Sequence, residues 1–447
     1  MHVLTRTVWA SILLVASTIG LAAQDDAEDP ITTALSAGDP GRALALADQR
    51  LADDPDDFEA LFLKSLALSD LNQPDAAAQA AMRAYAAARN DAEQFQAARL
   101  VGGALFSAEA YGRAGWWLRR AANHTQTEDE QTTLRAEFGR VQAANPFSAQ
   151  LSFSLAPSSN INGGAADASF ILGDFELLLP PDRLALSGIE YAGDAQLSYR
   201  ISQGARYQTS IEAYAYGRTY SLSADAREQV PDLSGSDFSL GLAEVALSHR
   251  QFLFAGAGPT SISVHEGKVR YAGAPLWDYR KISLGQTLLV GTSGQFNLLV
   301  SAQDQTARDG LQSDTIVYDT ALSYGHTFGN RDYIEASLSR RLNAAEEEDD
   351  TFTDYRFNLY YSPAEPVLGT KWTFSAGLGH VNYDSFDISF DGRRDDIVTV
   401  GGTATFENLS YFGFSPSISV SATQTTSNVS QFSTTQVQGR FGIQSSF

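Results

Sequence analysis

The chain has no cysteine and only two methionines among its 447 residues. Without cysteine there is no disulfide framework, no thiolate zinc site and no lipidated N-terminal thiol. Basic charge is also scarce: 31 Lys and Arg face 53 Asp and Glu, a net charge of −22. Nucleic-acid binding needs a basic footprint, so that partner class is excluded. Long apolar runs are missing as well. Nothing after the N-terminus approaches the ~20 consecutive apolar residues of a membrane helix, and mean hydropathy is only −0.19. Glycine (36), Phe (25) and Tyr (18) are plentiful instead, a composition that suits strands with aromatic girdles.

Catalytic spacing is not apparent. His249, His265, His326 and His380 stand singly on strand-like segments, and nothing spaces Ser, Asp and His as a triad. The expectation is a non-enzyme with no catalytic residue, metal or cofactor.

The N-terminus reads as a secretory signal over residues 1–23. Arg6 supplies positive charge, Val8 to Leu21 is an apolar core, and Ala22-Ala23 precedes the acidic Asp25-Asp26-Ala27-Glu28-Asp29. The apolar stretch is short for a bilayer span and has no stop-transfer flank.

Residues 24–146 read as a helical domain facing the periplasm. Ala43 and Ala47 recur 34 residues later as Ala77 and Ala81, and the frame returns as Ala114, Leu118 and Ala121. Small residues at that period match a tetratricopeptide-like solenoid, in which they let neighbouring helices approach closely. About three repeats fit, near the minimum for stability. Such solenoids carry no chemistry and bind extended segments or partner surfaces. Trp116, Trp117, Arg119 and Arg120 are the candidate client or docking contacts; the alternative is a core Trp beside a solvated helix end. Asn145-Pro146 ends the domain, because proline disfavours helix at the residue before it.

Residues 147–447 read as a transmembrane β-barrel. In the last twelve residues, Val437, Gly439, Phe441, Ile443, Ser445 and Phe447 share one face, and Gln436, Gln438, Arg440, Gly442, Gln444 and Ser446 the other. An apolar face toward lipid and a polar face toward a water-filled lumen are the barrel pattern. A chain ending on Phe447 resembles the barrel-assembly signal of outer-membrane proteins, with Arg440 and Gly442 in the same strand. Fourteen alternating segments follow Phe147, an even number as bacterial barrels require. Their connections read as alternately short and long, Gln251 being a short turn and 266–277 a longer loop. Leu240 and Leu242 give way to Val245 and Leu247 near Glu244, which reads as a bulge or a misassigned face. Fourteen strands enclose more space than lumen side chains fill, so the interior is an aqueous path or is plugged by a loop. The acidic run Glu346 to Asp350 falls in a long loop, as a solvated segment or a divalent-cation patch. The fold class is thus an all-α solenoid followed by a 14-stranded antiparallel transmembrane barrel.

Asn145-Pro146-Phe147, followed by Leu155-Ala156-Pro157-Ser158-Ser159-Asn160-Ile161-Asn162, resembles the junction "APxSNIN" segment of the surface lipoprotein assembly modulator family (Slam). Phe170-Ile171-Leu172-Gly173 and Ser187-Gly188-Ile189 also resemble that family. The resemblance implies an outer-membrane translocator in a Gram-negative bacterium. It would move a protein client, a surface lipoprotein or secreted protein, from periplasm to cell surface. Its partners would be that client, outer-membrane lipid and the barrel-assembly machinery. The competing expectations are a polysaccharide exporter and a passive porin.

Overall fold

The computed structural model describes residues 29–447 apart from 173–174, 255, 311, 388, 390, 407–408, 410–413 and 447. The signal segment 1–23, Gly173 and Phe447 therefore lie outside the described residues. The chain divides into two compact units between Val141 and Gln142.

Among the described residues the helical unit holds seven helices: α1 (Pro30–Ser36), α2 (Pro40–Asp53), α3 (Phe58–Asp70), α4 (Pro74–Ala87), α5 (Asp91–Ser107), α6 (Tyr111–Ala122) and α7 (Glu128–Ala144). Their starts are written in the sequence. Asp39, Asp57 and Asn90 each accept a hydrogen bond from the third backbone N–H of the following helix, capping α2, α3 and α5. Proline opens α1, α2 and α4, where its missing N–H costs nothing. The repeating frame is the packing frame. Ala43, Ala47, Ala77, Ala81, Ala114 and Ala121 have no exposed surface, and Leu118 is 2% exposed. They fall on α2, α4 and α6, one frame per alternate helix.

The second unit is a closed antiparallel barrel of fourteen strands. They are β1 (Phe147–Ser158), β4 (Gly188–Gln203), β5 (Tyr207–Leu222), β6 (Leu240–Gln251), β7 (Thr260–Tyr271), β8 (Ala274–Val290), β9 (Gly294–Ala307), β10 (Thr315–Thr327), β11 (Tyr333–Ala345), β12 (Phe352–Ser362), β13 (Lys371–Tyr383), β14 (Arg393–Thr405), β15 (Phe414–Ser427) and β16 (Thr434–Ser446). Each pairs with its chain neighbour, and β1 closes on β16. A small separate hairpin, β2 (Ser169–Leu172) with β3 (Phe175–Leu178), lies in the β1–β4 connection. The rim where β1 begins is the near end; the opposite rim is the far end.

The barrel is apolar outside. Phe153, Ile211, Val245, Leu247, Val264 and Leu378 are all at least half exposed, the reverse of a water-soluble core. Exposed Tyr207, Phe252 and Phe328 mark the near rim, and Tyr191, Tyr271 and Tyr318 the far rim, as interface girdles do. Among the described residues no helix is long and apolar enough to cross a membrane.

Two local expectations are corrected. The β7–β8 connection is a tight turn, Ala272-Gly273, with φ of 50° and 79° at its centre. Two positive φ values give the turn whose twist matches a hairpin, and this extends β7 and β8 into what had read as a long loop. The longer connection is 252–259, before β7. Likewise, β6 pairs without a register break from Leu240 to Gln251 on both sides. There is no bulge at Glu244; Leu240 and Leu242 share its inward face, toward the far end.

Candidate functional site

Three places gather chemistry-bearing side chains. The first is the far end of β1. Strand alternation turns Ser154, Ala156 and Ser158 inward, since Phe153 and Leu155 are exposed on the outside. The chain then folds inward rather than away. Asn160, 2% exposed, donates to Gly164 O at 2.8 Å and accepts from Gly164 N at 2.9 Å. Asn162 donates to Leu184 O at 2.8 Å and accepts from Leu186 N at 2.9 Å. Asn160 thus closes the local turn, and Asn162 stitches the outgoing strand end to the returning segment. Ile161 packs with Leu186, Tyr220, Leu222, Ala226 and Val230. Tyr220 and Leu222 lie on the inward face of β5, opposite in phase to exposed Ile211, so this apolar cluster covers the lumen side of that sector. Ala226 and Val230 come from the β5–β6 connection, where Ser223 caps a short helix α8 (Ala224–Gln229).

Beneath the cluster, side chains carry the barrel's closing seam. The β1–β16 ladder runs from Gln150–Ser446 to Leu155–Phe441 and resumes at Ser158–Gln438. It skips Ala156 and Pro157, and a proline has no N–H to give. Arg440 reaches across this gap. It donates to Ser154 Oγ at 3.3 Å and pairs with Glu190 on β4 at 3.0 Å. Tyr220 donates to the other Glu190 oxygen at 3.2 Å. Gln436 donates to Ser158 Oγ and to Asn160 O, and Val437 N to Ser159 Oγ. The junction residues Ala156 to Asn162 are therefore assembled at one place, together with Arg440. Gly442 lies in the same strand and its carbonyl accepts from Ser417 Oγ; Phe447 is outside the described residues.

The second place is the middle of the lumen. Glu244 on β6 accepts from three donors: His265 Nδ1 at 2.8 Å, Tyr279 OH at 2.7 Å and Lys281 Nζ at 3.0 Å. Ser263 Oγ lies 2.8 Å from His265 Nε2. A cavity of about 230 Å³ opens beside Glu244 and His265, bordered also by Gln196, Glu212 and Tyr214. Gly267 makes room for this arrangement: a β-carbon there would sit 2.2 Å from the Tyr279 ring. Sequence reading treated His265 as a lone histidine. The available signal was Ser263-x-His265, two residues on one face of one strand, but Glu244 joins them only through cross-strand register.

The third place is α6. Trp117 is half-buried against the helical core, with Tyr85 at 5.2 Å edge-on. Arg120 lies over Tyr85 at 4.6 Å, Trp116 at 5.4 Å and Trp117 at 5.5 Å, and its Nε is buried without a hydrogen-bond partner. Arg119 turns the other way, over the Phe138 ring at 4.8 Å, and burial lowers its pKa. Trp116 remains 40% exposed. The four residues are thus divided: Trp117 and Arg120 are packing residues, and Trp116 presents an indole to solvent.

The acidic run does not form a cation site. Asp349 shares a hydrogen bond with Asp387 of the neighbouring connection; that bond holds Asp387 above the usual carboxylate range and Asp349 below it. Ser385 and Ser313 donate to Asp349 and Asp350. Among the described residues no cluster of three or more His, Cys, Asp and Glu is placed to hold a metal.

No family model and no curated protein matches this chain. Solved structures do. A Pseudomonas aeruginosa FadL homologue is 11% identical with a TM-score of 0.35, covering 68% of this chain and 92% of its own. A bacterial polysaccharide outer membrane secretin is 8% identical with a TM-score of 0.35, covering 67% and 98%. MamA is 19% identical with a TM-score of 0.22, covering 27% and 72%. The closed strand ladder itself, not these likenesses, establishes an outer-membrane-type barrel behind a helical unit.

Proposed function

We propose that the chain is an outer-membrane translocator of the Slam type, carrying a protein client from the periplasm to the cell surface. The helical unit lies in the periplasm and captures the client, with the exposed Trp116 indole as one contact. The barrel provides the path, and β16 is read by the barrel-assembly machinery during insertion. The observation that carries this reading is the junction segment. The residues that resemble the family, Ala156 to Asn162, are the same ones that turn inward at the far end and link the closing strand to the covering loop through Ser158, Ser159, Asn160 and Asn162. In this reading the inward-folded segment is a cover that opens when a large cargo passes.

Charge argues against export of an anionic polymer. The barrel segment carries 33 Asp and Glu against 19 Lys and Arg, and such a polymer needs a basic channel. A passive porin leaves the helical unit without a task.

The test is deletion in the native bacterium, with protease-accessible surface proteins compared by mass spectrometry. One or a few lipoproteins or secreted proteins should vanish from the surface and accumulate inside. An unchanged surface proteome defeats the proposal.

A further inference from the structure

We propose that the mid-lumen group Ser263, His265 and Glu244 is a serine-hydrolase site, a second function independent of translocation. The geometry is that of a nucleophile, a base and an orienting carboxylate in hydrogen-bond series. Glu244 as a carboxylate only accepts, so His265 carries its proton on Nδ1 and offers Nε2 as acceptor to the Ser263 hydroxyl, 2.8 Å away. Tyr279 and Lys281 hold the second Glu244 oxygen, which fixes the carboxylate and through it the imidazole ring. Ser248 and Ser283 stand directly opposite Ser263 on the two flanking strands, on the same inward face. Register thus offers two hydroxyls beside Ser263 as candidate donors to a developing oxyanion.

The reaction is ester cleavage with water as co-substrate. Ser263 Oγ bonds to the carbonyl carbon while its proton passes to His265 Nε2. The carbon–oxygen bond to the leaving alcohol then breaks, and that oxygen takes the proton from His265. Water, deprotonated by His265, attacks the acyl-Ser263, releasing the acid and restoring the hydroxyl. The cavity of about 230 Å³ lies on the His265 and Glu244 side of Ser263 and is bordered also by Gln196, Glu212, Ala213 and Tyr214. Its size points to a short-chain acyl ester rather than a long acyl chain.

The first experiment treats full-length protein in detergent with a fluorophosphonate probe and maps the adduct by mass spectrometry. Labelling should fall on Ser263, disappear in Ser263→Ala, and drop at least about tenfold in His265→Gln. Folding of each variant is checked by its heat-modifiable gel mobility. A folded wild type that takes no label on Ser263 overturns the proposal. A second measurement uses the absence of cysteine. Ser263→Cys and Ser283→Cys each introduce the sole thiol of the chain. A thiol beside a histidine base ionises more readily, so iodoacetamide should alkylate the first at least about tenfold faster than the second at pH 6. Equal rates mean that His265 does not act as a base toward position 263.

Discussion

The two units solve burial in opposite ways, and the same kind of interaction has a different weight in each. In the helical unit alanines pack in the core, and among the described residues there the Arg99–Glu137 ion pair is the most deeply buried. Arg99 on α5 and Glu137 on α7 meet through two bonds, Nε–Oε2 at 3.0 Å and Nη2–Oε1 at 2.5 Å, with side chains only 11% and 6% exposed. In the barrel the apolar residues face outward and the polar ones line the lumen. There Arg440 pairs with Glu190 while remaining 41% exposed. One pair is sealed by protein; the other is wet on one side. Removing a partner from the first leaves a charge in a dry core, and from the second a charge that water still reaches.

That contrast sets the largest expected effect. Glu137→Ala should cost about 3–5 kcal/mol, the usual penalty for stranding one member of a buried pair. Chemical denaturation followed by helical circular dichroism measures it, while the barrel keeps its heat-modifiable mobility. A loss below about 1 kcal/mol would mean that water reaches Arg99.

Alanine sharpens the same comparison at lower energy. Ala81 has no exposed surface at the α4 crossing, so Ala81→Leu should overpack it and cost about 1–3 kcal/mol. Ala376 on β13 faces outward and is exposed. Ala376→Leu only adds apolar surface to a lipid-facing wall and should change the barrel's unfolding temperature little. If both substitutions cost the same, the outward face of β13 is packed against something other than lipid.

Arg440→Ala comes next. Glu190 keeps its hydrogen bond from Tyr220, so the expected loss is about 1–2 kcal/mol, between the surface and buried cases. Its distinctive readout is local. The ladder gap at Ala156 and Pro157 loses its side-chain bridge, so amide exchange should rise in β1 and β16 before it rises in β8 to β11. A uniform rise around the barrel would deny the seam its special status.

How much of this was legible beforehand follows from the range of each signal. Helix frames were readable because Ala43, Ala77 and Ala114 repeat along the chain at a similar spacing. Strand number and facing were readable because alternation is local: Phe441 and Ile443 against Gln438 and Arg440 need no partner to be seen. Turn lengths were not, because Ala272-Gly273 is decided by two backbone angles and carries little composition signal. At Leu240 and Leu242 the sequence left a bulge or a misassigned face open, and only the unbroken register with β5 and β7 decides for the second. Glu244, His265 and Ser263 were invisible as a set because register across β6 and β7 brings them together, and register is not a property of either strand alone. The buried Arg99–Glu137 pair was hidden likewise, being an association of two helices.

The smallest effect concerns the two far-end carboxylates, Asp387 exposed and Asp349 partly so. Asp387 titrates above its usual range because its hydrogen bond with Asp349 is lost on ionisation, and Asp349 titrates below because it accepts that bond. The sign follows from each shift. A raised folded pKa gives a contact that is fully present below the unfolded value and fades as pH rises through the folded one. The lowered partner contributes above its own unfolded pKa, and that contribution goes as pH falls through its folded one. The bond is therefore strongest between the two titrations and weakens once both groups are charged. Amide exchange in 346–351 and 384–392, corrected for its intrinsic pH dependence, should slow as pH falls through the Asp387 titration. In Asp387→Asn the donor persists at every pH, so that change should flatten. Equal pH dependence in wild type and variant would show that Asp387 does not link the two connections, leaving the Ser385 bond to Asp349 as what joins them.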